Sequence, residues 1–264
     1  MDAVIASKAE KRAAKGETLN VYSLDLAPRQ GFRENHNKEN LESFISHLSQ
    51  TVQLENRAIR LQLAVRTSSE HWTAVDMEIS PDAVKLLNID AAGDPYSIGV
   101  ISELYNQLLE LGNSGASRFY YLVHAPIDEK RAQSIQYDNV SCSRFALDTL
   151  FHLSHLESFT LLESREKELE EASYDYPCMP TERRFNSTHL PAEFAFIYKN
   201  TQSKHSFNSL SEELKNQIIN KKGQSLSDSE KKHTELTRKE WQWKRRNQAI
   251  QHKKQGYQEK EKIS

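Results

Sequence analysis

Apolar residues in this chain recur first at helical spacing, then at alternate positions, then at helical spacing again. Residues 3–15 are rich in Ala, Lys and Glu, which favours a helix, and Gly16 offers its stop. "LNVYSLDL" follows as an extended connector. In "NLESFISHLSQTVQL", Leu41, Phe44, Ile45, Leu48 and Val52 share a helical face, with Asn40 as its cap. The period then drops to two. "AIRLQLAVR" sets Ile59, Leu61, Leu63 and Val65 against Arg60, Gln62, Ala64 and Arg66, the pattern of a half-buried strand. "HWTAVDMEI" and "AVKLLNID" predict two more strands, with "SPDA" as the turn between them. A helix from Ser97 to Leu111 leads to the strand "RFYYLVHAP", and "CSRFALDTLFHLSHL" predicts an amphipathic helix. Beyond residue 155, "ESREKELEEASYDYPCMPTERRFNSTHLP" reads as a charged helix end and a loop. "PAEFAFIYKNTQSKHSF" and "SLSEELKNQIINKKGQSL" read as further helical pieces, and the last 35 or so residues as charged helix or frayed chain. A sheet followed by such helices predicts an α+β fold.

Composition narrows the setting. The 264 residues suit one domain, or one with a smaller appendage, and 27% of them are charged. No apolar run reaches the ~20 residues that span a bilayer, and "MDAVIASKAEKRAAKG" lacks the apolar core of a secretory signal. Two cysteines, Cys142 and Cys178, fit a reducing compartment better than a disulfide scaffold. The net charge of −2 hides an asymmetry, because residues 221–264 carry 13 Lys/Arg against 6 Asp/Glu. Trp241 and Trp243 sit among those basic residues. Nucleic acid is the less favoured partner, because an amphipathic helix packing both rings accounts for the pattern. No Gly-rich phosphate loop and no Cys/His metal spacing occurs.

The chemistry concentrates in four residues. Cys142 falls in the first turn of its predicted helix, where the positive end of the helix dipole favours a thiolate. His71 opens one strand and Asp90 closes the next, so a hairpin would bring both to one end of the sheet. Asp76, mid-strand, and Asp94, in a turn after Gly93, are the rival acids, and spacing favours Asp90. Gln136, six residues before Cys142, is better placed than Gln133 to donate to an oxyanion. Nucleophile, base, orienting acid and oxyanion donor are the four roles of an acyl-transfer site.

These segments together resemble the YopJ-like effector acetyltransferases that bacteria deliver into host cells. "HWTAVDMEI" is similar to the family's His strand, and the separation of 19 residues from His71 to Asp90 resembles its His–acid spacing. "IQYDNVSCSRFALDTL" looks like the cysteine segment, and "AEKRAAKGETLNV", "LPAEFAFIYKNTQSKHSF" and "NKKGQSL" extend the likeness from about residue 8 to 226. Ser143 stands where the family usually has Gly, Asp90 where Glu is commoner, and Asn200 where His is usual. The resemblance implies a cysteine-protease-like mixed sheet, of the ubiquitin-like-protease type, flanked by helices. It implies an N-terminal helical segment (residues 1–55), a catalytic core (56–175) and a C-terminal helical region with the basic tail (176–264), the two ends forming a regulatory region. Acetyl-CoA is the implied cosubstrate and inositol hexakisphosphate the implied activator, held by Arg144 and Lys199, with Arg12, Lys221 and Lys222 as further ligands. The implied partners are host proteins such as signalling kinases, met after secretion in the host cytoplasm. The alternative function is a cysteine protease for ubiquitin or ubiquitin-like conjugates, since that superfamily shares the order His, Asp, Gln, Cys.

Overall fold

The computed structural model describes residues 1–28, 37–55, 58–110, 116–123, 135–136, 141–171, 182–186, 189–201, 204–220 and 222–232. Among the described residues, six strands form one mixed, open sheet in chain order: β1 (Val21–Asp25), β2 (Ile59–Arg66), β3 (Trp72–Ile79), β4 (Val84–Ile89), β5 (Arg118–Val123) and β6 (Glu182–Asn186). β2, β3 and β4 pair antiparallel, while β1 joins β2, β5 joins β4 and β6 joins β5 in parallel. Each parallel pair needs a crossover. α2 (Lys38–Glu55) makes the first, α3 (Pro95–Leu109) the second, and α4 (Cys142–Leu153) with α5 (Ser158–Glu171) the third. α1 (Asp2–Ala13) precedes β1, and a 3-10 helix (Ala192–Tyr198), α6 (Lys204–Asn208), α7 (Glu212–Asn216) and a helical stretch at 226–232 follow β6.

The antiparallel centre forms because its turns are built from capping side chains. Ser80 and Ala83 close the β3–β4 turn, with the Ser80 hydroxyl accepting from the Ala83 amide at 3.1 Å. Both sheet faces are covered. Leu61, Leu63, Val65, Val75 and Met77 pack in one core with Leu41 and Leu48 of α2 and Ile101 and Leu104 of α3. Ala64, Ala74, Leu87, Ile89 and Tyr120 face a second core with Phe145 and Leu150 of α4 and Phe159 and Leu162 of α5.

That second core corrects the expectation of a half-buried β2. Its polar face meets a fully buried carboxylate, Asp76, instead of water. Gln62 Nε2 donates to Asp76 Oδ1 at 2.9 Å, and Arg60 grips the same carboxylate. Other boundaries also shift. "LNVYSLDL" contains β1, and the expected loop holds β6. Asn37, not Asn40, caps α2 through a 3.2 Å bond from the Asn40 amide, and Asn40 Nδ2 donates to Asp25 O. Within the expected N-terminal helical segment, residues 1–55, β1 is a strand of the sheet and α2 covers one of its faces. Cys178, Lys221, Trp241 and Trp243 lie outside the described residues. Among the described residues, no helix is long and apolar enough to cross a membrane.

Candidate active site

The β2–β3 turn sets the histidine. Thr67 N donates to His71 O at 3.1 Å and His71 N to Ser68 Oγ at 3.2 Å, which closes the turn and launches β3 at Trp72. Asp90 follows the last residue of β4, and the β3–β4 register brings both residues to one end of the sheet. His71 Nε2 donates to Asp90 Oδ2 at 2.7 Å. Asp90 Oδ1 accepts from the amides of Ala92 at 3.0 Å and Asp94 at 3.3 Å, across a turn in which Gly93 has φ of +64°. Only glycine takes that conformation at no steric cost. Asp94, the rival acid, is the N-cap of α3, accepting from the amides of Tyr96 and Ser97.

Cys142 is the first residue of α4 and is 3% exposed. As a thiol it donates to Glu70 O at 3.1 Å. Burial favours the neutral thiol, yet hydrogen bonding and charge from His71, with the amides of Trp72 and Ser143, hold Cys142 below the ordinary thiol range. Burial likewise disfavours the imidazolium, but Asp90 and Cys142 outweigh it and push His71 up to about 10. Asp90 is drawn below the usual carboxylate range: burial opposes ionisation, and His71, the Ser97 hydroxyl and the Asp94 amide override it. With Asp90 holding Nε2–H, Nδ1 is left for the sulfur. The arrangement supports a thiolate–imidazolium pair oriented by a buried carboxylate.

Gln136 is buried, and the amides of Ile135 and Gln136 both donate to Ala91 O, at 2.9 and 3.1 Å. The glutamine is thus strapped to the loop that carries Asp90.

The basic residues divide. Arg144 lies exposed on α4, beside a cavity of about 380 Å³ lined by Met1, Val4, Ser143, Leu147, Asp148 and Phe151. Lys199 Nζ sits 3.8 Å from Asp148, which also accepts from Asn200 Nδ2 at 2.9 Å. Arg12 is 5% exposed and donates to Phe151 O at 3.1 Å and Ser154 Oγ at 2.9 Å, at the C-terminal end of α4. Lys222 is exposed on a turn. His152 is held below its ordinary range by burial, against the pull of Asp148, with Lys199, His155 and Lys8 crowding it. Sequence reading missed Lys8, Asp148 and His152; the i, i+4, i+8 spacing of Arg144, Asp148 and His152 along α4 was the available signal.

An open mixed sheet flanked by helices, with Cys, His and Asp meeting at one end, defines a cysteine-protease-like α/β architecture. The chain belongs to the YopJ serine/threonine acetyltransferase family, whose model matches residues 6–260. At the level of the family, it is therefore an acyltransferase-type enzyme. Among solved structures, AvrA delL154 with IP6 and CoA is 18% identical, with a TM-score of 0.55 over 87% of this chain and 76% of that one. HopZ1a in complex with IP6 is 12% identical, with a TM-score of 0.47 over 86% of this chain and 74% of that one. No curated protein sequence matches the chain.

Proposed function

We propose that this chain moves an acetyl group from acetyl-CoA to Ser, Thr or Lys side chains of host proteins through an acetyl-Cys142 intermediate. The observation that carries this is a buried cysteine at a helix N-terminus beside a histidine whose other nitrogen is held by Asp90 at 2.7 Å. The Cys142 thiolate attacks the thioester carbonyl, and Gln136 and α4 amides donate to the oxyanion. CoA leaves as its thiolate and takes the proton of the His71 imidazolium. Acetylation also removes the negative sulfur that raised His71, so the imidazole is ready as a base. It accepts the proton of the incoming hydroxyl or amine as that group attacks the acetyl carbon, and Cys142 leaves as thiolate to restore the pair.

Inositol hexakisphosphate fits the cationic side of α4. Crowding of Lys8, Lys199 and His155 around His152 marks positive charge, which Asp148 partly offsets. Arg144 and Lys199 would hold phosphates directly, Lys221 and Lys222 would extend the cradle, and Arg12 would border it while fixing α4. AvrA, which shares the fold, has a structure with IP6 and CoA. Bound polyanion would supply the counter-charge that keeps α1, α4 and the segment after Tyr198 together. The proposal extends to delivery into the host cytoplasm and to host proteins such as signalling kinases as targets, a reading supported by the family match alone.

Intact mass after incubation with acetyl-CoA, with and without inositol hexakisphosphate, tests the proposal. One added acetyl group in the wild type, absent in Cys142→Ala and dependent on the inositol phosphate, is the expected result. Arg144→Ala should weaken inositol phosphate binding about tenfold or more, the worth of one charge-assisted bond. Cleavage of a ubiquitin-like reporter with no added mass would overturn the transferase assignment.

A further inference from the structure

The Arg60–Asp76 pair lies outside the proposed chemistry, and its geometry is unusual for a structural ion pair. Asp76 is 0% exposed, and Arg60 Nε and Nη2 reach its two oxygens at 3.2 and 2.8 Å. Gln62 and the Ser158 hydroxyl donate to the same carboxylate. Arg60 Nη2 also faces Leu153 O at 3.0 Å, the last carbonyl of α4, and Leu156 O at 2.6 Å in the turn that follows it. One guanidinium therefore ties the tail of the cysteine helix to a carboxylate on β3. His71 stands at the start of that strand, five residues before Asp76.

We propose that Arg60 and Asp76 are positioning residues that set the seating of α4 along β3 and so bring the Cys142 sulfur to His71. This rests on Cys142 being the nucleophile. β3 serves as a common ruler: one end carries the base, and its middle holds the anchor for the far end of the helix. α4 runs about 18 Å at 1.5 Å per residue, so an error in seating at the tail is carried to the head of a stiff rod. Ala64 of β2 and Ala74 of β3 share the buried core with Phe145 and Leu150 of α4 and offer only small side chains to it. The buried pair is the tie that links the tail of α4 to β3 itself, where Arg12 links it to α1.

A buried ion pair is weak support for stability, because apolar replacements of similar volume are often neutral or better. That allows a clean test. The first variant is Arg60→Met with Asp76→Leu, which fills the space without the tie to the helix carbonyls. The second is Arg60→Lys, which keeps the charge on Asp76 but cannot span carboxylate and carbonyls together. Leu104→Ala, on the opposite face of the sheet, serves as a destabilised control. The readout is the rate of Cys142 alkylation by iodoacetamide against pH, with Cys142→Ala giving the background from Cys178. Expected in both variants is a return of the Cys142 profile toward a free thiol near 8.5, slowing alkylation at about pH 6 by about 100-fold. The control keeps the wild-type profile. In the acetyl-CoA assay, kcat should fall about 100-fold with KM little changed, the cost of a misplacement near 1 Å. A folded variant of either kind that keeps the wild-type alkylation profile overturns the proposal, and so does a control that loses it. Should the double variant unfold, Arg60→Lys decides; should neither variant melt cooperatively, the pair is a stability element and the proposal fails. A wild type with no depressed thiol would instead sink the nucleophile assignment itself.

Discussion

Replacing Asp90 with asparagine exchanges one carboxylate oxygen for an amide nitrogen that can only donate. Oδ1 is already committed to the amides of Ala92 and Asp94, at 3.0 and 3.3 Å, and both can only donate. An asparagine must keep its carbonyl oxygen there, which turns its NH2 toward His71 Nε2 across the former 2.7 Å bond. Nε2 must then accept, so the ring proton moves to Nδ1, the nitrogen that should take the cysteine's proton. The histidine remains in place but holds the wrong tautomer, and the negative charge that raised its affinity for a proton is gone. In serine hydrolases this error costs about 10⁴ in kcat, equivalent to about 5.5 kcal/mol of barrier. The loss here should fall between about 10³ and 10⁴. Rapid-quench measurement of acetyl-Cys142 formation by mass spectrometry gives the rate. Asp90→Glu, the acid commoner in the family, should retain far more activity than Asp90→Asn. An Asp90→Asn rate above about a tenth of wild type would refute the tautomer argument.

The thiolate–imidazolium pair also predicts a stability profile. His71, raised to about 10, gives a contribution complete below about pH 6.5 and lost as pH climbs toward 10. Cys142, lowered, gives one complete above about pH 8.5 and lost as pH falls. Between about 6.5 and 8.5 the two slopes cancel, so urea denaturation should show a plateau there that Cys142→Ala changes on both flanks. Arg12→Met leaves the Phe151 carbonyl and the Ser154 hydroxyl without their guanidinium donor and should cost about 2 kcal/mol, read as a lower urea midpoint. Leu104→Ala opens a cavity under α3 at a fully buried position and should cost about 3 kcal/mol without slowing acetyl-Cys142 formation in the remaining folded protein.

The central hairpins and α4 were legible because their periods are clean and their turns carry their own capping residues. β1 and β6 were not. β1 has five residues and is held by a parallel partner 41 positions further along the chain, a pairing that no local pattern encodes. β6 carries Arg183 and Arg184, which read as solvated loop, yet Phe185 packs on Tyr120 and Arg183 pairs with Glu166. The face of β2 holding Arg60 and Gln62 looked solvent-facing for the same reason: a polar residue against a buried carboxylate has the same letter as one against water. His71 and Asp90 could be placed together by adjacency of strands. The approach of Cys142, 71 residues after His71, depended on the likeness of whole segments, because no spacing rule spans a crossover of that length. Asp148 stayed hidden in an ordinary amphipathic helix.

The order of the sheet has a consequence for synthesis. Strands lie side by side in the order in which they leave the ribosome, and the antiparallel trio β2–β3–β4 needs only short-range pairing. By the time residue 97 has emerged, the base, the orienting acid, the turn amides of Ala92 and Asp94 and the Ser97 hydroxyl are all present. The nucleophile lies more than forty residues further along the chain and emerges later, and its helix docks on a surface already shaped by that trio. The reactive thiol is therefore born into a waiting partner, and the interval in which it stands unescorted is only the time α4 takes to settle.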